Sequence, residues 1–172
     1  YYTLDKNNKI NETFKKASKQ DATDINSYKS LKNLRFIEFP KYGFREIKKI
    51  IKKISKIKGC LLMIDYGYLN PKNQNTLQSV MAHKKNNFLH NLGKADITSH
   101  VNFKLLNEFF LKNNIKVKKI VSQQKFLKNM GIIERSEIVS RKMSFKEQTN
   151  MYLRLKRLLS SCLLYTSPSP RD

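Results

Sequence analysis

The sequence predicts an α/β fold, in which helices and strands alternate along the chain and pack as layers. In residues 42–57 apolar side chains recur at steps of three and four with Lys on the other face, which is typical of an amphipathic helix. Gly59 then stands where a left-handed helix cap is expected. Residues 60–64 are apolar without alternation, which predicts a strand covered on both faces in a parallel sheet. Helix followed by strand in this order implies right-handed crossovers.

Four helices are predicted in the second half of the chain. Asn102 can cap a helix whose apolar stripe begins at Phe103. A short helix over residues 122–130 ends at Gly131, a residue suited to a left-handed turn. A further helix is expected over residues 135–143.

The last helix has the clearest start. Ser144 and Glu147 have the spacing of a capping box, in which each side chain satisfies a free amide of the first turn.

Two short strands are also predicted. One covers residues 115–121, where apolar and basic side chains alternate, and the other covers residues 76–83 within a long excursion.

The N-terminal region is polar and contains short alternating pieces. Residues 1–20 predict a hairpin with Asn7-Asn8 between its strands. Residues 21–33 form a loop or a short helix, and residues 36–39 form a short extended run that a proline ends. The chain opens on Tyr-Tyr rather than Met, so we expect its start to be missing.

The tail of the sequence has the character of an artefact. Residues 162–172 read Cys-Leu-Leu-Tyr-Thr-Ser-Pro-Ser-Pro-Arg-Asp, which resembles the translation of a transposase sequencing adapter found at the ends of metagenomic reading frames. We therefore exclude it from the fold. The alternative is a genuine flexible tail.

The formal net charge of +22 admits two interpretations. A basic surface suits a polyanion such as nucleic acid or anionic lipid. However, 28 of the 35 basic residues are Lys, and Asn and Ile are also abundant, which is the composition that AT-rich codons favour. Nucleic-acid readers also use Arg forks and stacked aromatic rings. A Lys-rich module that binds nucleic acid is therefore the less favoured alternative.

Membrane insertion, disulfides and metal sites find no support in the sequence. No apolar run approaches the ~20 residues that span a bilayer. The cysteines Cys60 and Cys162 match neither a zinc nor a disulfide spacing, and Cys60 is expected in the core. His83, His90 and His100 have no ligand spacing, so no metal is expected.

The strongest candidate site is the triplet Asp65, Tyr66 and Gly67 at the end of the predicted central strand. Ligands of open α/β sheets sit beyond the carboxyl ends of the strands. Asp65 can accept hydrogen bonds, Tyr66 offers a flat face with a polar tip, and Gly67 permits close approach of the backbone. The alternative is that Asp65 only caps a turn while Tyr66 packs.

A second candidate lies in residues 93–103, where polar side chains precede a helix. Asp96, Thr98 and His100 are its candidate binding residues, because a helix N-terminus attracts anions and a histidine can carry a proton. The alternative is ordinary helix capping by one or two of these groups. The sequence contains neither a Gly-x-Ser-x-Gly elbow nor a glycine-rich nucleotide loop.

At these residues the chain resembles the MidA family. Residues 59–67 are similar to the family's glycine, apolar strand and Asp-Tyr-Gly motif. Residues 75–84 are similar to its Asp/Asn-Thr-Leu/Phe-Gln segment with a downstream His. Residues 93–103 match its Gly-x-Ala-Asp-Leu-Thr-x-His-Val-Asp-Phe signature, apart from Ile97 and Asn102.

Two weaker matches extend the resemblance to roughly residues 30–160. Residues 123–132 follow a Gln-x-x-Phe-Leu-x-x-x-Gly-Ile pattern, and Glu38 with Pro40 is similar to a Glu-x-x/Ser-Pro element. Each motif alone is weak, but the combination is specific.

The resemblance implies a partial class I S-adenosylmethionine (SAM) methyltransferase with a Rossmann-like fold, namely the C-terminal portion of the sheet with its flanking helices. Residues 1–34 would belong to an inserted β and loop region, and residues 35–161 to the C-terminal part of the methyltransferase domain. The family's SAM-binding loop is expected upstream of Tyr1, and its last strand after residue 158. This chain is thus expected to hold no cofactor-binding residues and to be inactive alone.

The family's activity, where assigned, is symmetric methylation of a protein arginine on a respiratory complex I subunit. The resemblance therefore implies SAM as the cofactor of the full-length protein and a protein substrate. It implies a cytoplasmic location in a bacterium and a mitochondrial one in a eukaryote. Asp65 is the expected polar contact on the substrate side.

Overall fold

The structure, a computed structural model, describes residues 2–6 and 10–160. Within them helices and short strands are mixed, so the predicted α/β class is confirmed. The elements in chain order are β1 (Tyr2–Leu4), β2 (Ile10–Glu12), α1 (Lys19–Asn26), a 3-10 turn (Lys29–Leu31), α2 (Lys41–Ile57), β3 (Gly67–Tyr68), β4 (Gln78–Met81), β5 (Lys84–Asn86), β6 (Asp96–Thr98), β7 (Val101–Asn102), α3 (Phe103–Lys112), α4 (Gln123–Asn129), α5 (Ile132–Ser140) and α6 (Phe145–Leu158).

The N-terminal hairpin is confirmed. Strands β1 and β2 pair antiparallel, with Thr3 opposite Asn11. The turn predicted at Asn7-Asn8 lies outside the described residues. The tail at 162–172 lies outside them as well, and its origin stays a prediction.

The hydrophobic core lies between α2, α3 and the 3-10 turn. Phe44 of α2 stacks on Phe109 of α3, with ring centroids 4.1 Å apart and planes inclined by 15°. Burying one such ring contributes about 1.5–3 kcal/mol. Around this pair the buried side chains form one cluster: Tyr28, Leu31, Ile51, Leu105, Leu106 and Phe110.

The predicted caps form as expected. The Asn102 side-chain oxygen accepts a hydrogen bond from the Leu105 backbone N–H at 3.0 Å, which starts α3. At the start of α6 the Ser144 backbone N–H donates to the Glu147 carboxylate at 2.8 Å, as part of a capping box. Both caps join residues three apart in sequence, so no distant partner is needed to form them.

Two helix details differ from the prediction. The helix expected over residues 135–143 covers Ile132–Ser140, because Gly131 turns left-handed at φ 77° and the next helix begins at once. After α2 the left-handed residue is Lys58, with φ 53°, rather than Gly59. Gly59 instead donates its backbone N–H to the Ile54 carbonyl at 3.0 Å and closes the helix end.

A three-stranded antiparallel sheet contains β4 at its centre, between β5 and β6. It confirms the strand predicted within residues 76–83. Ala82 and His83 both have positive φ, of 47° and 60°, as the tight turn between β4 and β5 requires. Ser79 of β4 is almost fully buried and accepts a hydrogen bond from the Asn86 side-chain amide at 3.1 Å.

The prediction of an interior strand over residues 60–64 is wrong. The segment has no regular secondary structure, and Leu62 and Ile64 are 67% and 72% exposed. A strand exists only where neighbouring backbones supply its hydrogen bonds. Among the described strands none pairs with residues 60–64, and the first paired strand that follows them is β3.

The strand predicted over residues 115–121 is also wrong, and residues 36–39 pair with no other strand among those described. The alternation in the first of these segments has a different cause. Ile115 and Val117 pack partly buried against the core, while Lys116, Lys118 and Lys119 are exposed. Alternation can therefore arise from one-sided packing of an irregular segment.

Parallel pairing among the described strands is limited to β3 with β7. The larger parallel sheet of a Rossmann-like fold therefore stays a prediction. No helix in residues 2–6 and 10–160 combines the length and the apolar character needed to cross a membrane.

Candidate functional site

The parallel pair of β3 and β7 joins the two sequence motifs. Gly67 lies opposite Val101, and Tyr68 lies opposite Asn102. Just before the pair, the Val101 backbone N–H donates to the Tyr66 carbonyl at 2.8 Å. The Asp-Tyr-Gly triplet and the segment that contains His100 are thus neighbours, although more than 30 residues separate them in sequence.

Gly67 is required by this close approach. A Cβ atom at residue 67 would lie 2.1 Å from the Val101 carbonyl oxygen and 2.7 Å from the Phe103 ring. Both distances are far below van der Waals contact, so a residue with a side chain cannot occupy this position without a backbone shift.

A half-buried hydrogen-bond relay holds the other side of the site. The Glu38 carboxylate accepts from the Thr76 backbone N–H at 2.8 Å and from its hydroxyl at 2.6 Å. The Thr76 hydroxyl oxygen in turn accepts from the His100 backbone N–H at 3.0 Å. Three motifs that are far apart in sequence are therefore connected through one threonine.

Tyr68 lies beside this relay. Burial raises the pKa of the Tyr68 phenol, and the negative charge of Glu38 raises it further. The Asn102 side-chain amide opposes both effects, but the pKa stays above the ordinary value. The phenol therefore remains a neutral hydrogen-bonding group at physiological pH.

The predicted triplet has a mainly local arrangement. The Asp65 carboxylate is exposed and accepts a hydrogen bond from the backbone N–H of the next residue, Tyr66, at 2.8 Å. Tyr66 is half-buried, and Gly67 is held in β3. Of the three, Gly67 has the clearest structural requirement. A role of Asp65 in binding a substrate stays a prediction.

Asp96 and Thr98 lie in β6, opposite Val80 and Gln78 of β4. Both residues are exposed, and no hydrogen bond in the described part of the chain joins them to Asp65. His100 is half-buried and enters the site through its backbone. The structure thus brings Tyr66, Gly67 and His100 together and leaves Asp96 and Thr98 at the sheet.

A cavity of about 570 Å³ lies next to the Glu38 relay. Carboxylate, amide and hydroxyl side chains line it together with apolar ones: Glu12, Glu38, Asn75, Ser99, Phe36, Leu77 and Phe88. The sequence singled out Glu38 and the segment of residues 75–78, but it contained no signal for Glu12, Phe36 or Phe88. These three come from separate segments, and only the fold brings them to one cavity.

A sequence profile of a family described as S-adenosyl-L-methionine-dependent methyltransferases matches residues 1–121. The chain belongs to this family. The resemblance to a family of SAM-dependent methyltransferases is thereby confirmed, and SAM is the cofactor expected for that family.

Curated relatives are protein arginine methyltransferases. The chain is 33% identical over 98 residues to the mitochondrial protein arginine methyltransferase NDUFAF7 of Xenopus tropicalis. The aligned region covers 57% of this chain and 22% of that protein. It is 31% identical over 93 residues to NDUFAF7 of Danio rerio, and this alignment covers 54% of this chain and 22% of the relative. With the Caenorhabditis elegans homologue it is 29% identical over 89 residues, covering 52% and 21%. The match thus spans about a fifth of the length of these relatives.

Neither Gly67 nor Gly93 forms a cradle for SAM. The close backbone approach at Gly67 is filled by the Val101 carbonyl and the Phe103 ring, so it leaves no cradle for a cofactor. At Gly93, by contrast, nothing lies within 4 Å of an added Cβ atom, so no pocket wall for a cofactor is present there.

Within residues 2–6 and 10–160, no three His, Cys, Asp or Glu side chains converge as metal ligands would.

Proposed function

We propose that this chain forms the acceptor side of a SAM-dependent protein arginine methyltransferase. The supporting observation is the hydrogen bond from the Val101 N–H to the Tyr66 carbonyl, which holds the two family motifs side by side where the parallel strands β3 and β7 begin. The matched relatives are named as protein arginine methyltransferases, which supports the choice of acceptor.

The proposed protein substrate is a subunit of respiratory complex I, in line with the family resemblance. In a bacterium the reaction would take place in the cytoplasm, and in a eukaryote in the mitochondrion. The relatives are named as mitochondrial proteins, which supports the second location.

Transfer of a methyl group to protein arginine is the first test. The product of the complete reading frame is incubated with SAM that carries a radiolabelled methyl group and with a bacterial complex I preparation. We expect label on arginine, recovered as symmetric dimethylarginine after hydrolysis and mass spectrometry. Label on lysine, on a small molecule or on no protein would refute the proposal.

We also place SAM binding outside the described residues, so that the chain alone is inactive. Titration calorimetry of SAM against residues 1–161 should give no binding heat, whereas the product of the complete reading frame should bind one equivalent. Stoichiometric binding to residues 1–161 would contradict this placement. Sinefungin, a SAM analogue, serves as a second ligand for the same comparison.

A Lys-rich binding module is the second candidate, favoured by the outer face of α2. Lys48, Lys52 and Lys53 are exposed there, while Lys49 is paired with Glu46 at 2.7 Å. Binding to DNA through such a face would be independent of sequence and would fall steeply with salt. The absence of a gel shift at low salt would eliminate this candidate.

A further inference from the structure

The cavity beside Glu38 differs in charge from the rest of the molecule. The chain has 35 Lys and Arg against 13 Asp and Glu, yet two of the described residues that line the cavity are carboxylates and none is basic. In the described part of the chain, ion pairs involve Asp21 and Glu46, whereas neither Glu12 nor Glu38 is neutralised by a Lys or Arg. The cavity is therefore a local acidic site on a basic protein.

The two carboxylates are held differently. Glu38 is half-buried and fixed by its two hydrogen bonds from Thr76, so its position does not depend on a ligand. Each carboxylate oxygen has a second lone pair and can still accept a bond from a cation. Glu12 lies on β2, is exposed, and reaches the cavity from another segment.

Aromatic and aliphatic side chains complete the cavity. Phe36, Phe88 and Leu77 provide an apolar wall next to the carboxylates. A planar guanidinium matches both features, because it forms paired hydrogen bonds with carboxylates and stacks on aromatic faces. The cavity has a volume of about 570 Å³ and is widely open to solvent, so a side chain presented by another protein can enter it.

We infer that this cavity holds an arginine side chain presented by a protein partner, with Glu12 and Glu38 as its anionic contacts and Phe88 in its apolar wall. The inference rests on the proposed function and deepens it by naming the residues that receive the acceptor side chain. A lysine ammonium satisfies the charge but not the paired geometry, so the site should prefer arginine.

Peptide binding to the 172-residue chain tests the inference without SAM. The probes are acetyl-Gly-Arg-Gly-amide, the same peptide with citrulline, which is neutral and of similar shape, and the same peptide with lysine. Titration followed by NMR should give saturable binding of the arginine peptide and at least about tenfold weaker binding of the other two. Equal binding of the arginine and citrulline peptides would overturn the inference.

Variants locate the binding. Glu12→Gln and Phe88→Leu should each weaken binding of the arginine peptide several-fold. The Glu12 carboxylate makes no hydrogen bond to the described side chains, so its replacement should not disturb the fold. Glu38→Gln should also weaken peptide binding, but it disturbs the hydrogen bonds from Thr76 as well. The result for this variant is therefore interpreted only together with that for Glu12→Gln. The matched control is Glu46→Gln, an exposed carboxylate on α2 away from the cavity. Unchanged affinity in Glu12→Gln, or an equal loss in Glu46→Gln, would refute the site.

The two proposals can fail separately. If the arginine peptide binds at the cavity but the product of the complete reading frame transfers no methyl group to arginine, the site stands and the proposed function falls. If methyl transfer to arginine occurs and Glu12→Gln and Phe88→Leu leave its KM unchanged, the function stands and this site is wrong.

Discussion

Gly67 and Val101 approach so closely that the space for a side chain at residue 67 is occupied by the Val101 carbonyl oxygen, 2.1 Å from where a Cβ atom would lie. The Phe103 ring closes the same space from α3, with its nearest atom 2.7 Å from that point. The pairing of β3 with β7 and the position of α3 are therefore coupled at one glycine. This coupling explains the glycine that ends the Asp-Tyr-Gly triplet by packing rather than by contact with a ligand.

Gly67→Ala is accordingly expected to destabilise the fold. The added methyl group overlaps backbone on one side and an aromatic ring on the other, so β3 and β7 must separate or α3 must shift. Overpacking of this kind costs about 1–3 kcal/mol. Urea denaturation followed by circular dichroism measures the loss.

Gly43→Ala in α2 is the matched control for that variant. An added Cβ there meets its nearest atom, the Pro40 Cβ, at 3.6 Å, which is ordinary contact. Alanine in a helix is favoured over glycine by roughly 0.5–1 kcal/mol, so this variant should be more stable than the wild type. Equal loss of stability in both variants would show that the contact of residue 67 with Val101 is not the cause.

Thr76→Val tests the relay between Glu38 and the backbone of His100. Valine keeps the branched shape but removes the hydroxyl, which leaves a part-buried Glu38 oxygen and the His100 N–H each without this partner. Such a loss costs about 1–3 kcal/mol. Thr76→Ser keeps the oxygen and should recover most of the stability in the same urea titration. A full loss in Thr76→Ser would assign the effect to the methyl group instead.

The difference between local and distant contacts explains which features the sequence could predict. The caps at Asn102 and Ser144 involve partners three residues away, so their spacing alone was sufficient. The contact of Glu38 with Thr76 spans 38 residues, and that of Thr76 with His100 spans 24. Periodicity carries no information about such pairs, and the relay and its cavity were therefore missed.

The failed strand at residues 60–64 has the same origin. An apolar run specifies that a segment avoids water, but the backbone of a strand also needs hydrogen-bond partners, which sequence composition does not identify. The segment has the apolar composition of a buried strand, although its side chains are exposed in the described structure.

Glu108 links α3 to the 3-10 turn and makes part of the stability depend on pH. Burial raises the pKa of its carboxyl, but the backbone N–H groups of Ser30 and Lys29 donate to it, at 2.9 and 2.6 Å, and lower the pKa more. The net pKa lies below the ordinary value of 4.5. A lowered folded-state pKa stabilises the fold above pH 4.5, and that contribution is lost as the pH falls through the folded-state pKa.

Glu108→Gln should therefore lower the free energy of unfolding at neutral pH and reduce its fall on acidification. Stability is measured by urea titration at pH values on both sides of 4.5. Asp21, Glu46 and Glu147 also have lowered pKa values, so some acid sensitivity remains in the variant. Glu137→Gln on the exposed face of α5 is the control. Parallel pH profiles of wild type and Glu108→Gln would contradict the assignment.

The exposed run over residues 60–64 should make the 172-residue chain self-associate. Leu61, Leu62, Met63 and Ile64 are adjacent and 40–72% exposed, and an exposed apolar patch of this kind readily associates with a second copy. The double change Leu62→Lys with Ile64→Lys should shift size-exclusion elution toward the monomer at equal concentration. Ile138→Lys with Val139→Lys adds the same charge at another exposed apolar pair, on α5, and should have a smaller effect. Monomeric elution of the wild type at every concentration, with a sharp thermal transition, would show instead that this segment does not drive association.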